Sequence, residues 1–329
     1  MMSLNFTEQV VATMDNQRIR YKMLLYMSIN MATLVECVLA AYITLRSRDL
    51  RERLSTWFSN SLTVSIAMFS SLSLVYATVL LMVPSVKIFW PSGCRVRMAQ
   101  RYLSAVSCFT LVCLALDRYL AICWPLRYYD ALTRTRCRLL CVACWLIPFL
   151  LLLLPCAPVL PTLCSDGRTD TQFFVAYTVV YTLEAGAISV FYVLVALEFR
   201  RELPCQTHDS SMAMSEELVR RRTVRSALLV IMLYSFLSLP HTVLPLASRL
   251  AGPGIVPNFV VEAGHIVHRL HLLLFLPMYA SVNTTFNASL RSWWRCFCRR
   301  FMCMSGSQQQ QETTPTEVSF VKDRSVGTL

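Results

Sequence analysis

Charge is scarce in this chain. Asp, Glu, Lys and Arg make up 15% of its 329 residues, while 55% are hydrophobic. A soluble globular domain carries about a quarter charged residues, so that class is excluded. Acid is the scarcer sign, with 19 Asp and Glu against 31 Lys and Arg, a formal charge of +12. Such an excess raises nucleic acid as a partner. The basic residues, however, gather in the gaps between apolar runs and form no continuous face, so no nucleic acid is expected. Three further things are missing. No apolar core follows a basic start in the first 20 residues, so no cleavable signal peptide is expected. No internal repeat is visible, which counts against the duplicated build of many transporters. Paired metal ligands, a nucleophile arrangement and a phosphate-binding loop are also lacking, so the expectation is no enzyme, no metal and no cofactor.

What the chain does have is apolar length. Seven runs lie near 23–45, 57–83, 98–122, 137–160, 173–198, 225–248 and 259–282. Each reaches the roughly 20 helical residues that a hydrocarbon core requires. Runs of this length without alternation are helices, because lipid leaves no partner for an unpaired backbone group. The third and seventh carry more polar residues and are expected to escape hydropathy alone. The fold class is therefore an all-α membrane protein, a seven-transmembrane helix bundle. With the N-terminus outside, the segments 46–53, 118–138, 199–225 and 291–329 face inward. They hold roughly two thirds of the 31 lysines and arginines, as the positive-inside rule prefers. The expected divisions are an extracellular N-terminus over 1–22, the bundle over 23–286, an amphipathic membrane-surface helix over 287–303 and a disordered cytoplasmic tail over 304–329.

Most of the 14 cysteines, including Cys37, Cys108, Cys113, Cys141 and Cys144, lie inside apolar runs, where cysteine acts as a small hydrophobe. After the seventh run, Leu290, Trp293, Trp294, Phe297 and Phe301 recur at helical spacing between Arg291, Arg295, Arg299 and Arg300. That pattern fits a helix lying in the interface, with Cys296, Cys298 and Cys303 as palmitoylation candidates. Asn5-Phe6-Thr7 is a glycosylation acceptor pattern.

The most specific stretch is Asp117-Arg118-Tyr119-Leu120-Ala121-Ile122-Cys123-Trp124-Pro125-Leu126-Arg127-Tyr128. Charges at the end of an apolar helix are costly unless partnered. Asp117 and Arg118 can neutralise each other while Arg118 stays free to pivot. With Trp145 in the fourth run, this stretch resembles the rhodopsin-like G-protein-coupled receptors, and within them the odorant receptors. The resemblance runs from about Tyr26 to Phe301. It implies a plasma-membrane receptor that binds a small extracellular ligand and activates a heterotrimeric G protein. The switch residues would be Asp117, Arg118, Tyr119, Tyr192 and a sixth-helix kink at Pro240. It also implies a Cys94–Cys164 bridge pinning the outer loop.

Departures from the family are specific. Ser65 holds the slot of a sodium-binding Asp, and Glu36 is the nearest substitute carboxylate, expected as a polar hub or as a protonated group bonded to Asn60 or Ser65. The seventh-helix Asn-Pro-x-x-Tyr landmark is reduced to Asn283-Thr284-Thr285-Phe286. The polar groups at pocket depth are Gln100, Arg101 and Ser104 on the third helix, Tyr177, Tyr181 and Glu184 on the fifth, His241 and Thr242 on the sixth, and His268, Arg269 and His271 on the seventh. Arg101 is expected to meet either Glu184 or an acid group on the ligand. Two other readings stay open. One is a rhodopsin-like receptor for a peptide or metabolite. The other is a transporter or channel, suggested by the intramembrane ionisable groups Glu36, Glu184, Arg101, Arg269 and His271.

Overall fold

In the computed structural model, the described residues are 6–82, 90–124, 126–154, 167–202, 231–233, 236–237, 239–248, 250 and 256–311. Two compact units divide after Asn287.

The first unit is a helix bundle. Helix α1 spans Phe6–Arg46, α2 Arg48–Glu52, α3 Ser55–Met82, α4 Trp90–Cys123, α5 Tyr128–Ala131 and α6 Arg134–Pro148. Past α6 the chain winds as a wider π turn over Phe149–Leu153, after Pro148, which has no N–H to donate. Helix α7 runs Gly167–Glu202, and residues 239–248 form part of the sixth span. The seventh span is α8, Asn258–Leu273, and α9, Phe275–Val282. Helix α10 starts at Thr284 and runs to Gln311.

Among the described residues, five helices are long and apolar enough to cross a membrane: 20–46, 55–82, 95–121, 134–153 and 173–198. The third run, expected to be missed by hydropathy, is among them, because the polar groups of its outer turns leave the rest of the helix apolar. The seventh does not qualify as one rod, since it is broken at Leu274, whose φ and ψ are −81° and 3°. The helix at the chain start begins at Phe6, well ahead of the expected membrane boundary.

Large apolar side chains such as Val35, Val38, Val75, Leu139, Leu183 and Val190 stand exposed along these spans. In a soluble protein such stripes would mark an aggregation surface; in a span they are the lipid face. Small polar residues within the helices are satisfied locally. Thr33, Thr44, Thr63, Thr110 and Thr178 each donate to the carbonyl four residues back, at 2.8–2.9 Å. Helix α4 packs against α3, α6 and α7. In its most apolar stretch 56% of residues are buried, against 22–33% in the other four spans. Trp145 ties α6 to two neighbours: its Nε1 donates to Ser61 Oγ of α3 at 3.0 Å, and Tyr102 Oη of α4 donates to its carbonyl at 3.1 Å. Cys113 and Cys144 meet at the same seam, Sγ to Sγ 3.4 Å, both as free thiols.

In the second unit, Trp293 stacks on Phe297 with centroids 5.3 Å apart, while Arg291, Arg295 and Cys296 are exposed. Cys298 is half-buried.

Candidate functional site

Helix α4 carries polar groups at both ends, and each end forms a site. At its C-terminal end, Asp117 is 1% exposed. Its Oδ1 accepts a 2.7 Å hydrogen bond from the Tyr128 hydroxyl, and Oδ2 lies 3.4 Å from Arg118 Nε. A carboxylate buried this deeply must be answered by donors or a counter-charge, and both are present. Burial, and then the adjacent Asp117 carboxylate, hold the Tyr128 phenol above the ordinary tyrosine range, so it remains a donor. Tyr128 sits on α5, in the short segment that joins the third and fourth spans. Tyr119 packs on Phe191 of α7, with ring centroids 5.7 Å apart, and Tyr192 beside it is half-buried.

A residue missed by sequence completes this end. Tyr279 of α9 is buried, faces Ser59, Asn283 and Thr44, and lies within electrostatic range of Arg118. Its ring packs on Phe286 at 4.3 Å. Asn283 Oδ1 accepts the Phe286 N–H at 3.1 Å, so this Asn caps α10 in a helix-start role. The only sequence signal for Tyr279 was an aromatic hydroxyl one helical turn before Asn283.

At the other end of α4 a cavity of about 250 Å³ opens among α1, α3, α4, the 239–248 segment and α8. Of the expected pocket residues, Gln100, Arg101, His241, His268 and Arg269 line it. Gln100 donates to Ser73 Oγ at 2.8 Å. Arg101 is buried with its guanidinium over the Phe174 ring, 4.1 Å from the centroid. His241 stacks on His268 at 4.1 Å, and His268 on His271 at 5.4 Å. Lys22, Tyr26, Ser73, Tyr76, Arg97 and His265 complete the polar lining. Lys22 pairs with Glu262 at 2.7 Å, tying α1 to α8.

The other expected pocket residues stand apart from this cavity. Tyr177 and Tyr181 are fully buried in a core cluster with Met98, Ala105, Cys108, Leu152 and Phe173, and Ser104 faces Tyr177. Thr242 donates to the Leu239 carbonyl at 2.9 Å, beside the proline, and His271 Nδ1 lies 3.2 Å from the His268 carbonyl.

Two expected pairings are corrected. Glu184 does not meet Arg101: both its carboxyl oxygens are buried without a hydrogen-bond partner among the described residues, and the Cys108 thiol is the polar group that bears on it. Arg101 reaches Phe174 of α7, whereas Glu184 stands ten residues further along that helix, roughly 15 Å at 1.5 Å per residue, and bears on Cys108 instead. Glu36 is not bonded to Asn60 or Ser65. The backbone N–H of Leu276, just past the break at Leu274, lies against its carboxyl. Ser65 instead meets Ser107 at 2.9 Å, and Asn60 is exposed.

Pro240 packs against Gly264 of α8. A Cβ on Gly264 would stand 3.0 Å from the Pro240 carbonyl oxygen, so glycine is what permits this approach.

Asn5 and Cys164 lie outside the described residues, as do the side chains of Cys94 and Cys303.

A multi-pass helical bundle with a polar cavity at one end of its central helix and a buried acid–arginine pair at the other defines the class. The chain matches the profile of the 7 transmembrane receptor (rhodopsin family) over residues 36–288 and belongs to that family. Olfactory receptor 11G2 of Homo sapiens is 40% identical over 101 residues, 28% of this chain and 29% of that protein. Olfactory receptor 6N1 of Homo sapiens is 39% identical over 88 residues, 25% and 28% of the two chains. The 5-hydroxytryptamine receptor 4 of Cavia porcellus is 34% identical over 112 residues, 33% and 29%. The matched stretches thus span less than a third of the length of these relatives.

Proposed function

We propose that this receptor sits in the plasma membrane with its N-terminus outside, binds a small molecule in the α1–α3–α4–α8 cavity and activates a heterotrimeric G protein. The olfactory relatives support a chemosensory role, in which the ligand is an odorant. The observation that carries the reading is the arrangement around Asp117. Tyr128 and Arg118 both hold one buried carboxylate in this locked arrangement, and opening the Asp117–Arg118 contact leaves Arg118 free to engage a partner at that end of the bundle. A ligand moves that balance only through different affinities for the locked and released forms. Pro240, which has no N–H to complete the helix ladder and lies against Gly264, gives the sixth span a place to pivot. Basic residues crowd the same end, Arg46, Arg48, Arg51 and Arg53 on one side and Arg134, Arg136 and Arg138 on the other, which favours an inward position for it.

Arg118→Ala is the test. The expected result is loss of stimulated nucleotide exchange on the G protein with surface expression and ligand binding retained. Normal exchange by the variant would refute the role given to Arg118.

A further inference from the structure

The cavity is lopsided in charge. Lys22, Arg97, Arg101 and Arg269 line it, and no Asp or Glu does so among the described residues. Lys22 is answered by Glu262. Arg269 is not answered by a carboxylate among the described residues. Its guanidinium lies over the Tyr26 ring, 4.1 Å from the centroid, and donates to Asn30 Oδ1 at 3.2 Å. Both neighbours are neutral, so they orient the group without cancelling its charge. Beside it His268 is 2% exposed, and neither ring nitrogen has a hydrogen-bond partner among the described residues. Buried polar groups are ordinarily bonded, so one left open in a cavity wall marks a place for a ligand atom.

We propose that the cavity is built for a compact carboxylate, its acid group held by Arg269 and hydrogen-bonded by His268. This rests on the reading of the cavity as the receptor's ligand site and narrows the ligand to one class. A guanidinium presents two parallel donors at the spacing of a carboxylate's oxygens, and Tyr26 and Asn30 hold this one in place before the ligand arrives. An ester or amide of the same skeleton brings no charge to set against the guanidinium. Phe69, Tyr76 and Met23 give the ligand's apolar body a wall. The volume of about 250 Å³ falls below the range usual for drug-sized ligands, so the body is small. A long-chain fatty acid drawn from the bilayer offers the same carboxylate on a tail the cavity cannot hold.

The test is binding to the purified full-length receptor in neutral phosphatidylcholine nanodiscs, read as the shift of the thermal unfolding midpoint. The probes are hexanoate, benzoate and phenylacetate, their methyl esters, and oleate. At least one short acid is expected to raise the midpoint in a saturable way at millimolar concentration, while its ester and oleate do not. Arg269→Gln is expected to weaken that acid about tenfold, with Arg269→Lys weakening it less, since the charge remains while the fork is lost. The wild-type comparison of acid with ester needs no variant to fold. Overturning results are equal binding of acid and ester, no saturable shift with any short acid, binding of oleate alone, or unchanged affinity in a folded Arg269→Gln. The readout needs no G protein. Acid binding without stimulated exchange would refute the signalling reading and leave this one standing, and exchange driven only by neutral molecules would do the reverse.

Discussion

A single methyl group at Gly264 measures how closely the seventh span presses on the sixth. The Cβ of Gly264→Ala would meet Pro240 O at 3.0 Å, Leu244 Cδ1 at 3.1 Å and Pro240 C at 3.3 Å. Leu244 can rotate away, but a backbone carbonyl beside a proline cannot, so the two spans must separate by a few tenths of an ångström. Overpacking of this kind costs about 1–3 kcal/mol. Replacing glycine within a helix returns about 0.5–1 kcal/mol, because alanine has less conformational freedom to lose. Gly186 on α7 isolates that second effect, since nothing lies within 4 Å of its added Cβ. Gly186→Ala is therefore expected to stabilise slightly and Gly264→Ala to fall below it by about 1–3 kcal/mol, roughly 2–4 °C per kcal/mol in the unfolding midpoint. The assay is thermal unfolding of both purified variants and the wild type at one scan rate. If Gly264→Ala is as stable as Gly186→Ala, the close approach at Pro240 is wrong, and with it the pivot assigned there.

Tyr128→Phe removes the 2.7 Å hydrogen bond to Asp117 and leaves one oxygen of a buried carboxylate open. The cost is about 1–3 kcal/mol to the locked arrangement, so nucleotide exchange without ligand should rise; unchanged basal exchange would refute the lock. A Cys94–Cys164 bridge is expected, and peptide mapping of functional receptor without reductant should find the two cysteines linked. Recovery of both as free thiols would refute it.

Much of the bundle was legible because bilayer thickness sets a length that no sequence of spans can evade. The 173–198 run, read from composition, coincides with a described span. The break at Leu274 was not legible: Pro277 marks the neighbourhood, but the position of the break depends on how α8 and α9 pack. The pocket was read from approximate depth, and a turn or two decides who lines it. Arg101 lies against Phe173 and Phe174, whereas Tyr177 and Tyr181, on the same face of α7, stand level with Ser104 and Cys108, below the cavity and in the packed core. Lys22 was assigned to a polar tail, whereas the helix that begins at Phe6 carries it into the cavity wall. The acid–arginine end was legible because its parts, Asp117, Arg118 and Tyr128, lie within one short stretch.

Helix α4 holds a position unlike that of its neighbours. From Arg101 to Arg118 it covers roughly 25 Å at 1.5 Å per residue, and it touches the cavity with one end and the acid–arginine pair with the other. Hemmed in by protein, it has little room to tilt or bow. The surrounding helices each keep a flank against fluid lipid, which yields to them without resistance from packed side chains. Under the proposed signalling, communication along the bundle runs as displacement of the outer staves around a central shaft that stays still.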